Sequence, residues 1–148
     1  VTNMNTPVAS KTRTTRILNS VIREKQFLPS FNGPNFITKI GLPDADNILR
    51  MIRIEDIIFM ESRGNVTNVS VQGEAKRFTV FDSLKSFEQR LEYFNFFRTH
   101  RSFLVNLNKI KLYNYRKDKG RKVKLENDCY IPVSDDRKHD LKKKLQLL

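Results

Sequence analysis

Arg98, His100 and Arg101 fall within four consecutive positions, and the apolar run Phe103–Leu104–Val105 follows at once. A guanidinium is a planar fork of N–H donors that suits phosphate oxygens or the edge of guanine, and an imidazole donates or accepts at a base or a phosphate. A cation cluster at the mouth of a buried strand is held rigidly, so it can read geometry as well as attract negative charge. Two other segments carry groups of the same kind. Arg63–Gly64–Asn65–Val66–Thr67 places short polar residues on a tight loop. Ser134 to Lys138 reads as a helix start with Arg137 and Lys138, where free backbone N–H groups can face a phosphate. Residue types and spacing alone leave each segment open. A surface ion-pair cluster with Glu92, an ordinary turn and a capped surface helix would account for the same residues.

Other chemistry finds little support. The five glycines are scattered singly, so no phosphate-binding loop is present. His100 and His139 are far apart, and neither stands in metal-ligand spacing with Cys129. Asp135–Asp136 reads as a capping and dipole pair and Asp44 and Asp46 as turn formers, so no catalytic residue, metal or cofactor is expected and the chain is not read as an enzyme. Lys and Arg number 28 against 16 Asp and Glu, a net charge of +12 in 148 residues. That excess favours a polyanionic partner, with nucleic acid ahead of an anionic membrane surface. Cys129 is the single cysteine, so no internal disulfide framework exists, as suits a reducing cytoplasm. No apolar run approaches the roughly 18 residues of a membrane span, and no signal peptide is evident. The chain begins at Val1 rather than Met, which suggests a piece of a longer protein.

These groups need elements to position them. Residues 1–35 read as a basic linker or tail, partly helical over Arg16 to Leu28, with five basic residues and one acid (Lys11, Arg13, Arg16, Arg23, Lys25; Glu24). Residues 36–148 read as one folded domain, mainly β. Strands are expected over Phe36–Ile40, Leu49–Ile54, Asp56–Met60, Val66–Val71, Lys76–Val80, Ser102–Leu107, Ile110–Arg116, Arg121–Leu125 and Cys129–Val133. Leu84, Phe87 and Leu91 recur at helical spacing and predict one internal helix from about Phe81 to Tyr93, capped by Thr79 or Asp82. A short C-terminal helix starts near Ser134, with Asp135 and Asp136 in its first turn, Lys142 to Lys144 near its end, and an apolar stripe of Leu141, Leu145 and Leu148. No helix-turn-helix pair is visible, so any DNA reading must come through strands and loops.

Four phrases, in this order and spacing, resemble the LytTR-type DNA-binding domain of bacterial two-component response regulators (the LytR/AlgR family). They are IEDIIFMESRGNVT (Ile54 to Thr67), FTVFDSLKSFEQRL, FFRTHRSFLVNLNKI (Phe96 to Ile110) and YIPVSDDRKHDLKK (Tyr130 to Lys143). The third is the most specific, and the resemblance, from about Ile52 to Leu148, covers about two thirds of the chain. The resemblance implies an elongated multi-strand β-sheet domain whose loops, rather than a recognition helix, enter successive major grooves of paired promoter repeats. Carried over by position, one contact loop holds Asn65 and Thr67 with Arg63 nearby, the second Arg98, His100 and Arg101, and the third Ser134, Arg137 and Lys138. After that serine the family often has a basic residue. Here it is Asp135, a carboxylate unfavourable beside phosphates, so Arg137 or Lys138 is expected to substitute. The resemblance also implies a homodimer on double-stranded DNA, no membrane, an upstream receiver domain with a sensor kinase, and a cytoplasmic location. The alternative is a basic β module that binds RNA or a protein. RNA readers present aromatic side chains on a sheet face, but Phe94, Phe96 and Phe97 look like core.

Overall fold

The computed structural model describes residues 37–146. The expected tail over 1–35, its helix and Leu148 lie outside the described residues. Strands β1 (Lys39–Pro43) and β2 (Leu49–Arg53) pair as a hairpin. A five-stranded antiparallel sheet, in the order β5-β4-β3-β7-β6, is built from β3 (Ile57–Arg63), β4 (Val66–Val71), β5 (Phe78–Val80), β6 (Phe96–His100) and β7 (Phe103–Asn106). A three-stranded sheet, β10-β9-β8, follows from β8 (Ile110–Asn114), β9 (Lys122–Leu125) and β10 (Tyr130–Pro132). Helix α1 (Leu84–Arg90) connects β5 to β6, and α2 (Lys138–Gln146) follows β10.

The five-stranded sheet is covered on both faces, and the alternation of its side chains explains how. On β7, Leu104 enters a core shared with Leu84 and Phe87 of α1 and Leu42 and Ile52 of the first hairpin. Its neighbour Val105 enters a second core with Val123 and Leu125 of β9, Ile131 and Leu141. The period of two sends adjacent residues to opposite faces. As expected, Val105 is buried, and Phe103 packs against the same second core. Phe97 is buried, and Phe94 and Phe96 pack on the first core, as their spacing suggested. Asn106 closes β7: its side-chain amide donates to the Ile57 carbonyl at 2.9 Å, and its Oδ1 accepts the Asn108 N–H at 3.0 Å.

Three local expectations differ from the structure. The segment Phe96–His100 is a strand rather than a loop leading into one. Helix α1 is shorter than its periodicity suggested, and its cap is Ser83, whose hydroxyl accepts the Ser86 N–H at 3.0 Å, rather than Thr79 or Asp82. Asp82 instead accepts the Ser83 N–H, the Ser86 hydroxyl and the Arg90 guanidinium. Helix α2 begins at Lys138 because residues 135–137 first form a turn in which the Arg137 N–H reaches the Ser134 carbonyl.

Candidate nucleic-acid interface

Pairing brings the three expected segments to one end of the five-stranded sheet. The β3–β4 hairpin closes on the Arg63–Val66 pair, with Gly64 and Asn65 as its turn. Gly64 sits at φ 63°, a region that glycine enters without a Cβ penalty. The β6–β7 hairpin closes on the His100–Phe103 pair, with Arg101 and Ser102 as its turn. Since β3 and β7 are antiparallel neighbours, both turns lie at the same edge, and the Ser62 N–H donates to the Ser102 carbonyl at 2.9 Å between them. The third segment is attached through a β-bulge. Arg98 pairs with Leu104 and His100 with Phe103, which leaves Thr99 as the extra residue. The Thr99 carbonyl accepts the Ser134 N–H at 2.9 Å. The start of the third segment is thereby fixed against β6.

The side chains at this end divide into those already engaged and those free to meet a ligand. Arg98, expected as a contact, is engaged. Its Nε donates to the His100 carbonyl at 3.1 Å, one terminal nitrogen to the Arg101 carbonyl, and the other to the Glu88 carboxylate at 3.0 Å. It braces the turn from inside rather than presenting its fork outward. Thr67 is fully buried, and its hydroxyl donates to the Asp82 carbonyl at 2.8 Å. That burial removes it from the groups able to touch a ligand. The alternation of Thr67, Val69 and Val71 along β4 is the signal that places it inside.

Arg63, Asn65 and Arg101 are exposed, and no described carboxylate pairs with either arginine. His100 accepts the Ser102 N–H on Nδ1 at 3.1 Å and lies 5.9 Å from the Phe103 ring. With Nδ1 accepting, the neutral ring carries its proton on Nε2, a donor with no partner among the described residues. In the third segment, Arg137 lies over the Phe97 ring at 5.9 Å, and Lys138 opens α2 with its ammonium unpaired among the described residues. The Ser134 hydroxyl donates to Asp136 at 2.6 Å. That bond, with smaller help from its own backbone N–H and the charge of Arg137, holds the Asp136 carboxyl below its ordinary value.

Asp135, the acid where the family often has a base, is paired with Arg121. Its charge is balanced within the fold, and spacing gave no hint of this because the partner lies fourteen residues earlier, just before β9. The end of the sheet thus gathers exposed Arg63, Arg101 and Asn65 with half-buried His100, Arg137 and Lys138, and Asp136 makes no ion pair among the described residues. No cluster of three or more metal-ligating side chains occurs among the described residues. Cys129 packs against the second core. Among the described residues, no helix is long and apolar enough to cross a membrane.

Comparison with known proteins places these features. The family model of the LytTr DNA-binding domain matches residues 47–146. A sensory transduction protein LytT from Bacillus cereus is 31% identical over 110 residues, covering 74% of this chain and 43% of the relative. The LytT protein of Bacillus anthracis is 30% identical over 129 residues, covering 86% of this chain and 51% of the relative. The chain therefore spans about half the length of the curated relatives it matches. Among solved structures, a LytTr DNA-binding domain from Bacillus cereus superposes with a TM-score of 0.64 at 27% identity, covering 74% of this chain and 97% of that one.

Proposed function

The chain belongs to the LytTR DNA-binding domain family, a DNA-binding rather than a catalytic one, and from that premise we propose that it is the output domain of a transcriptional response regulator. Residues 36–148 form the DNA-binding domain, and residues 1–35 link it to an upstream receiver domain served by a sensor kinase. The turns at Gly64–Asn65 and Arg101–Ser102 and the segment from Ser134 to Lys138 insert into successive major grooves of promoter repeats. Two copies occupy one paired site, in the cytoplasm, where the chromosome lies open to them.

The convergence of three short segments at one sheet edge, with their outward cations unpaired among the described residues, is the observation that carries this reading. A protein without a recognition helix needs such projections to reach base edges. Arg101 and His100 act as base-edge donors, with Asn65 able to donate and accept, and Arg63, Arg137 and Lys138 supply phosphate affinity that falls with salt. Arg98 and Thr67 hold the segments in place, and Ser134 joins the third segment to the second.

Selection of bound duplexes from a random pool tests the function and supplies the operator together. The selected pool should converge on a repeated motif. In a gel shift at fixed salt, Arg101→Ala and His100→Ala should each lose preference for that motif. Retention of it by both variants would overturn the assignment of the second loop. Tighter binding of single-stranded RNA than of any selected duplex would favour the RNA-binding alternative.

A further inference from the structure

Phe81 is 85% exposed, the most exposed large apolar side chain among the described residues. It lies between β5 and α1, one residue past Val80, and Val80 pairs with Thr67. Its cross-strand neighbourhood is therefore Val66, which closes the β3–β4 turn opposite Arg63. The strand order then sets Phe81, the Gly64–Asn65 turn and the Arg101–Ser102 turn along the same edge. Val80 packs against the first core, and the next ring along the chain has no core to enter.

The mount under this ring is fixed on both sides. On one side β5 is hydrogen-bonded into the sheet. On the other, the Asp82 carbonyl accepts the buried Thr67 hydroxyl at 2.8 Å, and the Asp82 carboxylate accepts from Ser83, Ser86 and Arg90. A large ring held in water on a rigid support gains most from a partner that covers it. The neighbouring groups can address purine edges and phosphates, whereas Phe81 has no polar atom in its side chain. In the major groove the apolar feature that distinguishes one base from another is the thymine methyl group.

We propose that Phe81 is a specificity-determining residue that packs on the 5-methyl group of a thymine beside the bases met by the Gly64–Asn65 turn. This inference rests on the DNA-facing assignment of that sheet edge. Covering one methyl group is worth about fourfold in affinity.

The test uses the selected duplex and a series in which each thymine in turn is replaced by deoxyuridine, which removes only the methyl group. Fluorescence anisotropy at fixed salt measures binding by the wild-type chain, Phe81→Ala and Phe81→Leu. At one thymine per half-site, the wild type should lose about fourfold and Phe81→Ala should not distinguish the two bases, with Phe81→Leu in between. Thermal unfolding should be unchanged in both variants, because the ring contributes little to the core. If Phe81→Ala keeps the wild-type thymine-to-uracil ratios at every position, the thymine contact is refuted while the DNA-binding reading stands. If the wild type shows no preference for any duplex, both fall together.

Discussion

Two arginines three positions apart should fail in opposite ways. Arg98 makes three inward hydrogen bonds with a side chain 18% exposed, and its carboxylate partner Glu88 is 40% exposed. Truncation in Arg98→Ala strips donors from two turn carbonyls. Water can rehydrate carbonyls at a hairpin tip, so each lost bond costs about 1 kcal/mol rather than the upper figure for charged donors. The half-exposed pair with Glu88 adds less than about 1 kcal/mol. The sum is roughly 2–3 kcal/mol, which lowers the melting temperature by about 10–15 °C in a domain of this size. The Arg101 side chain has no partner among the described residues, so Arg101→Ala should leave stability within about 0.5 kcal/mol of the wild type. Its loss should appear in DNA affinity instead, by about 5- to 150-fold on the selected duplex if its fork meets a guanine. Thermal unfolding by circular dichroism and anisotropy titrations on the same samples separate the two. A wild-type melting temperature for Arg98→Ala would refute the bracing role, and a matching destabilisation in Arg101→Ala would refute the division between the two residues.

Thr99 carries a buried hydroxyl with no hydrogen-bond partner. Thr99→Val replaces it with a methyl group of similar shape and should leave the melting temperature equal or higher, by at most about 1 kcal/mol. Asn106→Ala leaves the Ile57 carbonyl without its donor and should cost about 1–3 kcal/mol, read from urea unfolding with an unchanged slope. Asp136 has a folded-state carboxyl below its ordinary value of 3.8, chiefly through the Ser134 hydroxyl. Its contribution to stability is present above that value and is lost as pH falls through the lower folded one. Asp136→Asn should therefore flatten the drop in melting temperature between about pH 5 and pH 2.5, and an identical pH profile would contradict that linkage.

Much of this arrangement was legible in the residues. The alternation in Val66–Val71, the turn at Gln72 to Glu74 and the three-and-four spacing of Leu84, Phe87 and Leu91 each match an element of the structure. Strand β6 was missed although its alternate cations form a strand pattern, because the cation cluster from Arg98 to Arg101 reads as a loop. A bulge at Thr99 also breaks the period, and Asn95 enters the strand from φ 55°. The start of α2 was misplaced because an acidic turn and a helical first turn have the same composition. Within the candidate site, residue type named the cations but not their direction. Arg98 and Arg101 look equivalent in sequence, and only the hairpin geometry turns one inward and leaves the other outward. The pairing of Asp135 with Arg121 likewise depends on β9 lying beside the segment after β10, a tertiary relation that no local pattern encodes.

The two links between the three segments, from Ser62 to Ser102 and from Thr99 to Ser134, each contain a main-chain hydrogen bond, and the Ser134 hydroxyl adds a second donor to the Thr99 carbonyl. Main-chain links do not depend on which side chains the turns carry. The spacing of the three segments is therefore a property of the scaffold, and on the proposed DNA-binding reading the bases met there would depend on a few exposed residues. If that reading holds, Asn65, Phe81 and Arg101 can be randomised together while the spacing between the segments stays fixed. The domain would in that sense be a fixed comb with exchangeable teeth, and under the proposed function a starting point for retargeting to new sites.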